Sequence, residues 1–118
     1  MSTEMHKSPD IIAEVTMFTE ADTTMLPEGV ARTRKIPPII LMCPMRIEGA
    51  FFDCCIPLQE LDFGMAPGET VRVPILFLSP EKVRPLIHLG SRFFLWTGGL
   101  FARGTILEIF PPREKRVQ

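Results

Sequence analysis

Two apolar runs of strand length, Arg92-Phe93-Phe94-Leu95-Trp96 and 102–110, lie on either side of the pair Gly98-Gly99. Glycine pairs reach the positive φ angles that primed two-residue turns require, and those turns match the twist of the strands they join. The pattern predicts a β-hairpin and commits this end of the chain to a sheet. It contains no evident catalytic group. Twelve prolines in 118 residues carry the argument to the rest of the sequence. Proline lacks the backbone donor and clashes inside a helix, so long helices are excluded, whereas short strands joined by turns accommodate it.

Read from the start, Ile11-Ile12-Ala13-Glu14-Val15-Thr16-Met17-Phe18 predicts a first strand, rich in β-branched and apolar residues. The stretch 19–35 is polar, with turn chemistry at Pro27-Glu28-Gly29, and its length predicts a functional or disordered loop. The stretch 36–47 predicts an extended segment, but Pro37, Pro38 and Pro44 remove ladder donors and assign it to a sheet edge or a bulge. Glu48-Gly49 turns the chain into a strand at 50–56, and Ala66-Pro67-Gly68-Glu69 turns it again into a strand at 70–78. Ser79-Pro80 looks like an N-cap followed by proline at the first helical position, enough for one short turn before Pro85. About six strands at short, regular spacing predict an all-β domain, a small antiparallel six-stranded barrel. It spans 10–110, with a flexible tail at 1–9 and a charged tail at 111–118.

Charge is balanced at 13 basic against 14 acidic residues, so no global field favours nucleic acid or membrane, and any polyanion site must be a local patch. The longest apolar stretch, within 36–45, is too short to span a bilayer, and no charged start precedes an apolar run as in a signal peptide. Three cysteines, Cys43, Cys54 and Cys55, are an odd number with an adjacent pair, which fits a reduced, cytoplasmic setting.

The ordered set of strands and turns resembles the C-terminal (third) β-barrel domain of elongation factor Tu, standing alone. The residues that carry the resemblance are the opening strand Ile12–Phe18 with its acidic turn Thr19-Glu20-Ala21-Asp22, the turn Ala66-Pro67-Gly68-Glu69 with Val71 and Val73, the turn at Ser79-Pro80-Glu81, and the Gly90-Ser91-Arg92-Phe93 strand before Gly98-Gly99. The chain departs from the family where its polar contacts lie. Thr33-Arg34-Lys35-Ile36-Pro37 and Met42-Cys43-Pro44 replace the family's Gly-Arg-x-Thr-Pro and Tyr-Arg-Pro. Thr97-Gly98-Gly99-Leu100 lacks both charged members of the family's Glu-Gly-Gly-Arg turn. The resemblance implies a docking barrel and makes Thr97, Gly98 and Gly99 part of the contact surface. The phosphate-cradling Gly-x-x-x-x-Gly-Lys-Ser/Thr loop is absent, so no nucleotide is expected.

Side-chain chemistry points the same way. Adjacent cysteines diverge on a strand and lack the two-to-four-residue spacing of structural zinc sites, so they are expected to fill the core as small hydrophobes. His6 and His88 are expected in the tail and a loop, and Asp53, Asp62, Glu69 and Glu81 form no acid/base pair. No enzyme, cofactor or metal is expected. Two interaction surfaces remain. Arg32, Arg34, Lys35 and Arg46 form a basic patch, approached by Arg103 if the barrel closes, that would hold the phosphates of an RNA. Ile39, Ile40, Leu41 and Met42 lie in an apolar run that is either an exposed protein interface or a strand buried on both faces. A stand-alone, non-catalytic module binding a protein partner is the expected function, and an RNA- or tRNA-binding accessory the alternative.

Overall fold

In a computed structural model, residues 8–19, 36–61 and 64–112 are described. The strands are β1 (Ile11–Met17), β2 (Ile40–Ile47), β3 (Ala50–Pro57), β4 (Thr70–Phe77), β5 (Arg92–Trp96) and β6 (Leu100–Ile109). They form a closed antiparallel barrel in the order β1-β4-β3-β2-β5-β6, with β6 returning to β1. The expected six-stranded all-β barrel is therefore the observed fold. No helix among the described residues is long and apolar enough to cross a membrane.

Alternation along each strand builds the core. Ile11, Ala13, Val15 and Met17 of β1 turn inward, as do Leu41, Cys43, Met45 and Ile47 of β2 and Val73, Ile75 and Phe77 of β4. Period-2 side-chain geometry makes this the only way for one face of each strand to leave water. Phe93 and Leu95 complete the interior from β5, facing Gly104 and Ala102 of β6. Gly104 has to be glycine, because a Cβ there would stand inside the Phe93 ring.

Among the described residues the one α-helix, α1 (Pro80–Val83), runs into a 3-10 turn at Arg84–Leu86. Proline sits in its first turn as expected. Ser79 holds the cap position through its carbonyl, which accepts the Lys82 N–H at 3.0 Å, and its side chain makes no cap hydrogen bond. This turn lies over the start of the chain. The buried Asp10 accepts the Phe77 N–H at 2.8 Å and Arg84 Nη2 at 3.0 Å, and its own carbonyl accepts the Phe110 N–H. The Asp10 carboxylate thus ties the start of β1 to the end of β4 and the helical turn, and the backbone of the same residue ties it to the end of β6.

Two expectations are corrected. The strand expected from Ile36 begins only at Ile40. Ile36 instead makes an isolated antiparallel bridge to Met65, with both N–H···O distances 2.7 Å. Pro37 and Pro38 break the ladder between bridge and strand, since neither has an N–H to give. The turn before β6 is also three residues, Thr97–Gly99, because β6 starts at Leu100 and the register slips between Leu95 and Trp96. Gly98 (φ 70°) and Gly99 (φ 147°) both hold backbone that residues with a Cβ avoid.

Candidate functional site

β2 and β3 form a hairpin about a two-residue turn in which Glu48 (φ 51°) and Gly49 (φ 82°) are both left-handed, as a type I′ turn demands. The hairpin is paired along its whole length, Ile40 opposite Pro57 through Ile47 opposite Ala50. Its seams to the rest of the barrel are short. β2 meets β5 only through Met45–Leu95 and Arg46–Phe94, and β3 meets β4 through Cys54–Phe77 and Cys55–Leu76. Among the described residues, no strand pairs with Ile40–Pro44 on the side away from β3. The sheet edge expected from Pro44 is therefore present inside a closed barrel.

This open half of β2 carries the apolar surface. Ile39, Ile40 and Met42 are 45%, 52% and 58% exposed. Leu41, placed with them from the sequence, points into the core instead, because it lies between two outward positions of a pleated strand. The segment is thus neither wholly an interface nor buried on both faces. It buries one side and offers the other.

A second outward feature begins at Arg46. Following the registers, Phe51, Arg46, Phe94, Arg103, Thr16 and Thr70 stand side by side on the outer face across all six strands. The Arg46 guanidinium lies 6.0 Å from the Phe51 ring centre, and Arg103 lies 5.3 Å from that of Phe18. Phe18 meets Phe94 edge to face, and Phe51 meets Trp96 in the same way at 5.5 Å. Arg103 does approach Arg46, as expected, with Phe94 between them. A groove of about 370 Å³ follows Arg92, Phe94, Arg103 and Thr105 along this face. The aromatic members were missed from the sequence. The signal was the alternation of Arg92, Phe94 and Trp96 against the buried Phe93 and Leu95, which only a known register turns into a surface. Thr97 and Gly98 project at the nearby turn, and no atom lies within 4 Å of a Cβ built on Gly98, whereas Gly99 is buried. Arg32, Arg34 and Lys35 lie outside the described residues, as do His6 and Asp62.

Among the described residues, the titratable groups form no reacting constellation. Asp53 is exposed on the outside of β3 opposite Pro44, Glu69 accepts the Ala66 N–H within its own turn at 2.9 Å, and Glu81 opens α1. His88 is exposed with Nδ1 3.0 Å from the Leu89 carbonyl. Among the described residues, no three His, Cys, Asp or Glu side chains gather as metal ligands do.

Cys43 and Cys54 are both in the core as small hydrophobes, and Cys55 is half-buried on the outer side. A hydrogen bond with Cys43, together with burial, pushes the Cys54 thiol well above its ordinary value near 9.0. The unfolded chain gives up this proton near the ordinary value, while the folded chain keeps it. The contribution to stability is therefore complete below that pH and is lost as pH rises through the raised folded value. Stability should fall as pH rises from about 9.0 toward the raised folded value, because the unfolded thiol ionises there and the folded one does not. Urea midpoints measured across that range check it. A Cys54→Ala chain should show a shallower fall, and equal slopes in the two chains would remove Cys54 as the cause.

A scan against protein-family models and a search of curated proteins each find no match to this chain.

Proposed function

We propose that this chain is a non-catalytic docking module, a barrel of the elongation factor Tu C-terminal type that binds a protein partner on the outer face of β2. The observation that carries the reading is the open half of that strand. Ile39, Ile40 and Met42 are about half exposed where a small barrel would ordinarily keep polar residues. The closed barrel and the ordered turns at Ala66–Glu69, Ser79–Glu81 and Thr97–Leu100 support the resemblance. In the family that the chain resembles, this barrel makes contacts between domains and with exchange factors.

The expected energetics follow from burial. Covering Met42 and Ile40 removes their remaining apolar surface from water, worth on the order of 1 kcal/mol each. A charge at the centre of such a patch costs more, because it must be desolvated against an apolar partner. Met42→Glu is expected to leave the thermal midpoint unchanged, since the side chain is exposed, and to weaken partner binding at least about tenfold, or about 1.4 kcal/mol. A photo-cross-linking residue at position 42 should give a discrete protein adduct that one at Arg72, exposed on β4, does not. Equal labelling at both positions, or an adduct unaffected by a charge at position 40, would overturn the reading.

The second reading, an RNA-binding accessory, draws on Arg46 and Arg103 among Phe51, Phe94 and Phe18. Strongly salt-dependent RNA binding that is lost in Arg46→Ala would put it first.

A further inference from the structure

Cys43 and Cys54 are direct partners across the β2–β3 ladder, both turned into the barrel. Ile47 and Ala50 flank a two-residue turn and so form a hydrogen-bonded pair. Alternation along the ladder puts Cys43 and Cys54 in the same class. Partners of that class hold their Cα atoms about 5.5 Å apart, inside the range of about 4.4–6.8 Å that disulfides span. Their Cβ atoms must still close toward about 3.8 Å, so a bridge here draws the two strands together and stores strain. Strained disulfides are the readily reduced ones. Cys55 is excluded from the pair, because it stands on the opposite face of β3, across from Met42.

We infer that Cys43 and Cys54 are a reversible dithiol–disulfide pair, oxidised by a hydroperoxide, with Cys55 staying reduced. Cys43 is the entry point. It sits on the half of β2 that no described strand covers, and it is the less buried of the two, 5% exposed against 0%. Its sulfur, as the thiolate, attacks one peroxide oxygen. The O–O bond breaks, and the leaving oxygen departs as water after taking up the thiol proton, which leaves a sulfenic acid on Cys43. The Cys54 sulfur then attacks the Cys43 sulfur, the S–OH bond breaks, and the Cys54 proton leaves with the hydroxyl as a second water. Two thiols lose two electrons and two protons, and hydrogen peroxide becomes two waters. A dithiol reductant reverses the bridge by exchange.

The test uses the full reduced chain, treated with a small excess of hydrogen peroxide and then alkylated in denaturant. The expected product has lost two hydrogens in mass, shows one alkylated thiol where the reduced chain shows three, and yields a Cys43–Cys54 linked peptide that dithiothreitol releases. Cys55→Ser, which alters no core position, should give the same linked peptide and no remaining thiol. A Cys54–Cys55 bridge, a dimer linked through Cys55, or three thiols still alkylated after peroxide treatment would each overturn the inference.

Discussion

Gly104→Val should cost this barrel about 3 kcal/mol, a large share of the 5–15 kcal/mol that holds a typical domain together. Gly104 faces inward on β6, directly opposite Phe93 on β5, and the Phe93 ring covers the space where a side chain would begin. Its backbone has no positive φ to protect. The penalty is therefore one of volume: the new side chain and a fully buried phenylalanine compete for one space in an interior packed as densely as a crystal. Neither strand can slide away, because β6 is paired on both sides, to β1 and to β5. Urea denaturation of the variant reads the loss. Combining it with Phe93→Leu should recover part of the stability, since the smaller side chain vacates the contested volume, and the two substitutions should couple by more than about 0.5 kcal/mol. Additive effects of the two changes would mean that the ring and the glycine do not oppose each other.

The other large effect is expected at Asp10. Asp10→Ala removes the acceptor for a backbone N–H in the core and for Arg84, whose Nε already lacks a hydrogen-bond partner among the described residues. Breaking a buried pair by deleting one partner costs about 3–5 kcal/mol, because the other is left desolvated and unpaired. Arg84 keeps 18% of its side chain exposed and recovers part of this from water, so the lower end of that range is expected. The Phe77 N–H has no such recourse. Asp10→Asn retains an acceptor of the same shape and should cost less, and pairing Asp10→Ala with Arg84→Met should restore stability relative to Asp10→Ala alone. Thermal or urea unfolding of these chains decides it. An Asp10→Ala chain as stable as the parent would show that the carboxylate clamps nothing.

Most of the barrel is written in local patterns. β5 runs from Arg92 to Trp96 as its alternation and flanking turns predict, and β1, β3 and β4 end within a residue of their expected bounds. Local pattern failed where a distant partner decides. Ile36 looks like the start of a strand, and only its bridge to Met65, across an intervening hairpin, shows that it belongs elsewhere. Leu100 and Phe101 sit beside two glycines and read as turn, yet pairing with Trp96 and a bulge draws them into β6. The surface was legible in composition but not in direction. The run from Pro38 to Pro44 is apolar throughout and carries no alternation, so Leu41 could not be told from Ile40 and Met42 without the register that turns it inward. Phe51 comes from β3 and Phe94 and Trp96 from β5, and nothing in the order of residues brings the two strands to one patch.

The pairing of β1 with β6 has a kinetic meaning. Ile11 lies opposite Ile109, so the seam that closes the barrel joins opposite ends of the described chain. The β2–β3 and β5–β6 hairpins need only their own turns, and hairpins of that kind form in about 1–10 μs. The closing seam forms only after nearly all the chain between has been gathered, and the entropy of that large loop is lost before any contact returns it. Folding dominated by such distant pairings takes on the order of milliseconds to seconds. During that interval β1 and β6 each present an unpaired edge, so a newly made chain is most open to association with its neighbours in the period before its first and last strands meet.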